Sequence, residues 1–348
     1  MKKTLRSLIL GACALAFAMP VGSALAQSND KPGEGKSIKM ARATWDTGWW
    51  QAEIYRQLFE KLGYDVGDPL TLSNPPFYQA VGQGDVDLWV NGWFPSHNTY
   101  EKFFSPGAKR VGYVAKGGAL QGFLVDKKSA EKYHIKYLSD ITKPEVQKAF
   151  DSNGDGKADL IACPPGWGCE KDIAHMMDAY KLHGQINLVK AGYSASMADA
   201  IARYQNDQPI LFYTWTPNWT VGLLKPGRDV QWLQVKKVDL PKEEMSLADA
   251  ATVKDVTGCP SDPCVLGFPA NDIRPVANVK FLDANPSVNT LLEEVQIPLG
   301  DIFKQNAKMN DGADGPKDLK KQATDWIDAH QDEVNGWLDD ARKAASKS

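Results

Sequence analysis

What most constrains this chain is the alternation of extended and helical patterns along its length. Ile38 to Thr44 carries a strand pattern, Trp49 to Leu62 spaces its apolar residues for one helical face and stops at Gly63, and Thr71 opens another extended segment. The rhythm continues through Gly122 to Val125, a helix around Ala174 to Leu182, Asn187 to Ala191, a helix around Met197 to Tyr204, and Ile210 to Thr214. From about Asp283 onward the pattern is mainly helical. Strands alternating with helices predict an α/β protein, and 348 residues suggest two domains. The stretch 27 to 36 is polar and carries glycine and proline, so it reads as a loose leader, with the fold beginning at Ser37.

Residues 1–26 divide into a basic start (Lys2, Lys3, Arg6), an apolar run from Leu8 to Met19, and Ala24-Leu25-Ala26 before Gln27, the pattern of a signal peptide. Leu10-Gly11-Ala12-Cys13 resembles a lipobox, but a second apolar stretch and the small-x-small site follow that early cysteine, which argues against lipidation. No other stretch approaches the roughly 18 apolar residues needed to cross a bilayer, so the mature chain is expected to be soluble after export. Net charge falls from −3 to −6 once Lys2, Lys3 and Arg6 are removed. Such a balance removes the strongest argument for a nucleic-acid partner. Four cysteines then remain, and an even count in an exported chain favours two disulfides. The short separations suggest Cys163 with Cys169 and Cys259 with Cys264. Zinc competes with this reading, but neither pair is C-x-x-C and no histidine stands at zinc-finger spacing, so no metal is expected.

Composition enters through tryptophan, of which there are eleven. A buried indole must find a partner for its N–H, so a core of this size does not need so many, and some are expected to face a ligand. Residues 87–98 (DLWVNGWFPSHN) can be laid over 209–220 (PILFYTWTPNWT), each an apolar strand ending in Trp-x-Pro. In open α/β sheets ligands bind beyond the carboxyl ends of strands, so Trp93 and Trp215 would suit two lobes facing one cleft. Coincidence between two strands followed by turn prolines is the competing explanation. A third indole, Trp167, sits in the small loop Cys163-Pro-Pro-Gly-Trp-Gly-Cys169 just before a helix. Free amides in a first helical turn favour an anion, so a carboxylate would rest on Gly168 and Cys169 beside Trp167. Several indole faces around one point form a cage for a quaternary ammonium, each desolvated face contributing roughly 0.5 to 2 kcal/mol. The ligand that fits both parts is a small zwitterion, a betaine.

These segments closely resemble the periplasmic glycine betaine/proline betaine-binding proteins of ProX type, which serve ABC importers. The motifs are EKLGYDV (60–66), GWFPSHNTY (92–100), DSNGDGKADL (151–160), CPPGWGCE (163–170), FYTWTPNW (212–219) and LKPGRDVQWLQV (224–235). The resemblance implies a two-lobed periplasmic binding protein fold, type II-like, with the ligand cleft between lobes. Lobe one would be 37–120 plus 266–348 and lobe two 121–265. It implies a trimethylammonium boxed by Trp93, Trp167 and Trp215, and a carboxylate held by His97 and the Gly168 and Cys169 amides. It further implies a monomer in the periplasm that hands its ligand to an ABC permease, with no cofactor and no catalysis. Two departures stand out: the loop Trp45-Asp-Thr-Gly-Trp49-Trp50, richer in tryptophan than expected and able to line the same cleft, and the extra pair Cys259 and Cys264.

Trp89, Trp219, Trp232, Trp326 and Trp337 are read as packing residues, and His134, His175, His183 and His330 join no constellation. Asp151, Asn153, Asp155, Lys157 and Asp159 stand at calcium-loop spacing, but position 12 is Ala162, so the bidentate glutamate is missing; a weak calcium site and a metal-free turn both remain readings. Choline, carnitine and dimethylsulfoniopropionate are alternative ligands. A periplasmic enzyme acting on quaternary amines is the remote alternative, for which the chain has no G-x-S-x-G, H-E-x-x-H, Walker or G-x-G-x-x-G motif.

Overall fold

One long strand, Ala115–Asp126, ties the molecule together. The computed structural model describes residues 30–347, so the export segment 1–26 lies outside the described residues. Up to Ala119 the long strand pairs antiparallel with Asn271–Asn278; from Leu120 it pairs antiparallel with Leu211–Thr216. The eight-stranded sheet thus has two halves sharing one strand. The first half adds Leu88–Phe94 and Ala108–Arg110 on either side of Asn271–Asn278. The second adds Ala158–Ile161 and Ile186–Val189, both parallel to Leu211–Thr216, with Val230–Trp232 on the long strand. The predicted α/β class and two-lobed architecture hold.

Leu88–Phe94 and Leu211–Thr216 are nearly continuous buried runs, the pattern of strands covered on both faces. Leu88–Phe94 is buried at every position. Trp49–Lys61 buries Ile54, Tyr55, Leu58 and Phe59 and ends one residue short of the predicted Leu62, before Gly63 at φ 90°. Asn74–Gln83 likewise stops at Gly84 in the left-handed region, the conformation only glycine adopts without strain. The helical C-terminal segment returns to the first half: Tyr55 donates to the Val295 carbonyl at 3.0 Å, Gln57 to that of Lys320 at 3.0 Å, and Trp50 meets Trp326 edge-on at 5.9 Å.

The segment just before Ser37 is not loose. Pro32 and Gly33 are buried, Gly33 donates to the Leu62 carbonyl at 3.0 Å, and a Cβ on Gly33 would lie 2.3 Å from the Tyr64 ring. Its glycines are there for close approach and turning, with Gly35 at φ 75°, rather than for freedom.

Both disulfides form as the spacing suggests, Cys163 with Cys169 and Cys259 with Cys264. The second closes a hairpin in which Thr252–Val253 pairs with Cys264–Val265. In the acidic loop the Asp151 carboxylate accepts from the Gly154, Asp155 and Gly156 amides, and Asp159 accepts from Ser152 and Asn187. Its acids are spent on the loop's own turns, and among the described residues no cluster is arranged to hold a metal. Nor is any described helix long and apolar enough to cross a membrane.

A tryptophan-walled candidate binding site

Four strands deliver the site from their carboxyl ends. Ala41–Ala43 runs into Thr44 and Trp45, Leu88–Phe94 carries Trp93, Ala158–Ile161 leads into the Cys163–Cys169 ring with Trp167, and Leu211–Thr216 carries Trp215. The two Trp-x-Pro ends match further than the sequence shows, since Phe94-Pro95 and Thr216-Pro217 are both cis. The four indoles, each only 4% to 8% exposed, line one small cavity together with Ser96, His97, Gln121, Gly168, Cys169 and Tyr213. All six residues expected at the site, Trp93, His97, Trp167, Gly168, Cys169 and Trp215, are brought together there.

Trp45 lies edge-on to Trp167 at 5.4 Å, and Trp167 edge-on to Trp215 at 5.5 Å. Their planes stand at 71° and 77°, so successive faces turn around a common space rather than stacking on each other. Asn91 fixes two walls at once, its Oδ1 accepting from Trp45 Nε1 at 2.7 Å and from Trp93 Nε1 at 3.0 Å, while its Nδ2 donates to Gln51. Trp167 Nε1 donates to Thr44 Oγ1 at 2.8 Å, a bond between the two halves of the molecule. Further bonds cross the same seam, from the Asn74 amide to the Gly166 carbonyl at 3.1 Å and from Lys171 Nζ to Thr99 Oγ1 at 2.7 Å. Lys171 also sits 4.2 Å over the Tyr100 ring. The Trp215 Nε1 finds no acceptor, and neither do those of Trp50 and Trp89, so partnering of every buried indole N–H does not hold.

The remaining aromatic expectations sort cleanly. Trp49 donates to the Ala43 carbonyl under the Arg42 guanidinium and Trp50 packs on Trp326, so of the three unassigned indoles only Trp45 reaches the cavity. Trp89 stacks on Phe77 at 3.9 Å behind Trp45, and Trp219, Trp232 and Trp326 are buried in the core, with Trp337 packed against it.

His97 is fully enclosed, and burial followed by the Lys171 charge depresses its pKa to about 3, so the ring is neutral at physiological pH. Its Nδ1 accepts from the Trp93 backbone N–H at 3.1 Å. A backbone amide can only donate, so the ring proton belongs on Nε2, which lies beside Asn74 and over Gly168. The helix Gly168–Ala179 starts here with no side-chain cap, and among the described residues no acceptor takes the N–H groups of Gly168 or Cys169. Two free backbone N–H groups therefore meet at one end of the cavity, with His97 Nε2, 3.0 Å from the Asn74 side-chain amide, beside them, and indole faces fill the rest.

Under that end a polar chain runs from the Tyr213 hydroxyl to Gln121 Oε1 at 2.6 Å and from Gln121 Nε2 to Ser96 Oγ at 2.9 Å. Ser96, Gln121 and Tyr213 were not expected at the site. Gln121 alone left a trace in the sequence, as a single amide within an apolar strand; Ser96 and Tyr213 left none. Beyond Ser96 lie Asp172 and Glu244, 1% and 0% exposed, whose carboxylate oxygens receive no well-formed hydrogen bond among the described residues. Burial, first of all, pushes Asp172 up to about 7, against the opposing influence of Ser96 and Lys171; Glu244 is raised further by burial and then by Asp172 itself.

A sheet of two halves sharing one strand, with a cavity at its strand ends, is built to hold a small ligand between the halves. Residues 36–329 match the model of the substrate-binding domain of ABC-type glycine betaine transport systems, and the chain belongs to that family. It is 38% identical over 334 residues to the glycine betaine-binding periplasmic protein OusX of Dickeya dadantii, covering 95% of this chain and 97% of that one. It is 37% identical over 322 residues to the glycine betaine/proline betaine-binding periplasmic protein of Escherichia coli, covering 90% and 93%. Among solved structures, the lactococcal OpuAC in its closed form with glycine betaine superposes with a TM-score of 0.66 at 18% identity, covering 87% of this chain and 99% of that one. A choline-binding protein of an ABC transporter with choline bound superposes at 0.67 and 18%, covering 89% and 98%. The protein is thus a periplasmic component of transport and not an enzyme.

Proposed function

We propose that this protein captures glycine betaine or proline betaine in the cavity and delivers it, as a monomer, to an ABC permease. In this reading Trp93, Trp167 and Trp215, joined by Trp45, surround the quaternary ammonium, which offers no N–H and is therefore held by π faces. The carboxylate accepts from His97 Nε2 and from the Gly168 and Cys169 amides. Lobe one is 37–120 with 266–348 and lobe two 121–265, so the ligand bridges them and favours the closed form. The observation that carries the proposal is the meeting, in one cavity, of indole faces with the Gly168 and Cys169 N–H groups, which have no acceptor among the described residues and lie beside His97 Nε2. Choline would use the faces but bring only a neutral hydroxyl, not a carboxylate, to the donors.

Titration calorimetry of the mature protein against glycine betaine, proline betaine, choline and dimethylsulfoniopropionate tests this. Saturable one-to-one binding of the betaines, at least tenfold tighter than choline, is the expected result. No heat and no tryptophan fluorescence change with any betaine overturns it; equal affinity for choline overturns the roles of His97, Gly168 and Cys169.

A further inference from the structure

Asp172 occupies the fifth position of the helix that begins at Gly168, one turn below the amides at the cavity's polar end, or about 5 Å along the axis. Its carboxylate is sealed from solvent and receives no well-formed hydrogen bond. Glu244, at the entry to the turn Met245–Ala251, is sealed beside it in the same condition. Two such carboxylates without donors, the charge of one acting on the other, do not both ionise readily in a dry interior and titrate as a pair. The link to the cavity is Ser96, whose oxygen is occupied by Gln121 and whose own hydrogen is free to point at Asp172.

We propose that Asp172, paired with Glu244 beneath the polar end of the cavity, couples ligand affinity to pH: the pair takes up a proton when a carboxylate-bearing ligand binds. This rests on the reading that the ligand carboxylate lies at Gly168 and Cys169. A carboxylate arriving one helical turn above an ionised acid is repelled through a medium of low dielectric, while the protonated pair is indifferent to it. By reciprocity the proton raises the ligand's affinity as much as the ligand raises the proton's.

The other charged and titratable groups facing Asp172 do not supply this response. Lys171 on the same helix is turned to Thr99 and Tyr100, with its pKa lowered by burial and then by Lys102, and it carries no carboxylate to repel an anion. Tyr100 and Tyr213 are buried phenols whose ionisation lies well above the physiological range. Glu170 is engaged with Lys190 and the Gly166 amide, and Glu243 acts on Glu244. His97 is neutral until strongly acidic pH.

The test is calorimetry of the full mature protein with glycine betaine and with choline from pH 5.5 to 8.5, in buffers of different ionisation heat. Across this range glycine betaine keeps one charge state, so any slope belongs to the protein. The expected result is a Kd for glycine betaine about three- to tenfold lower at pH 5.5 than at 8.5, up to one pKa unit of coupling, with net proton uptake on binding, while choline is flat or reversed. Asp172→Asn, a neutral mimic of the protonated acid, should abolish slope and uptake and bind at pH 8.5 as tightly as wild type does at 5.5. Should that variant not fold, Glu244→Gln removes the neighbouring charge and should move the midpoint of the slope to lower pH. A flat wild-type profile, or a slope that persists in Asp172→Asn, overturns the inference while leaving the proposed ligand intact; absence of betaine binding at every pH overturns both.

Discussion

Thr44→Val perturbs closure without touching the faces of the cage. The substitution keeps the shape of the side chain and removes the oxygen that accepts from Trp167 Nε1 at 2.8 Å across the seam. A neutral hydrogen bond is worth about 0.5–1.5 kcal/mol net, and a buried N–H left without an acceptor costs about 1–3 kcal/mol. In the open form the indole N–H can be hydrated, so the loss falls on the closed state alone. About 1–2 kcal/mol against closure weakens ligand binding roughly 5- to 30-fold, and the change should appear mainly in the dissociation rate. Trp167→Phe removes the donor instead of the acceptor and retains an aromatic face. If the bond is direct, the two substitutions overlap, and the double variant should be less impaired than the sum by about 1 kcal/mol. Trp167→Ala deletes a cation-binding face and the edge contacts to Trp45 and Trp215 as well, for a total near 2–4 kcal/mol. Stopped-flow tryptophan fluorescence with glycine betaine reads both rates. Strictly additive effects of Thr44→Val and Trp167→Phe, or an unaltered dissociation rate in Thr44→Val, would refute the reasoning.

Gly168→Ala should reduce betaine affinity at least tenfold in a folded protein, because its Cβ would stand 2.7 Å from His97 Cδ2 and displace the ring; calorimetry with intact circular dichroism checks it. Replacing Cys163 and Cys169 by serine opens a loop closed over six residues, which should lower stability by about 2 kcal/mol and weaken binding by loosening Trp167; denaturant titration and calorimetry separate the two effects. Glu244 is an acid whose folded-state pKa is raised, so the native form holds extra protons and stability declines as pH rises from the ordinary carboxylate range through the raised value. Glu244→Gln should therefore raise the melting temperature at pH 8.5 and change it little at pH 4.5, and the opposite ordering in differential scanning calorimetry would count against a neutral native Glu244.

The alternation of patterns, the two Trp-x-Pro strand ends and the small Cys163–Cys169 loop were enough to read the fold class and three walls of the cavity from the chain. The fourth wall was not readable in the same way. Trp45, Trp49 and Trp50 are chemically alike and lie within six residues, and what selects Trp45 is the Asn91 carbonyl brought to it from a different strand. Asp172 was harder still. In Glu170-Lys171-Asp172 it reads as an ordinary charged first turn, and only the packing of Ser96 and Glu244 against that side of the helix buries it. The segment 30–36 misled for a related reason, since glycine suits a free tail and a tight contact equally well, and the Tyr64 ring decides between them.

Gln121 stands two residues past the point where the long strand changes partners, and its amide grips Ser96 on one side and Tyr213 on the other. Any rotation of one half against the other strains that grip at short leverage, close to the pivot, where small displacements correspond to large angles. The residue that helps form the cavity floor is thereby also a tie between the two halves, through Ser96 and Tyr213. Lengthening or shortening it by one methylene would change how far the cleft gapes at rest, and with it how readily the ligand enters.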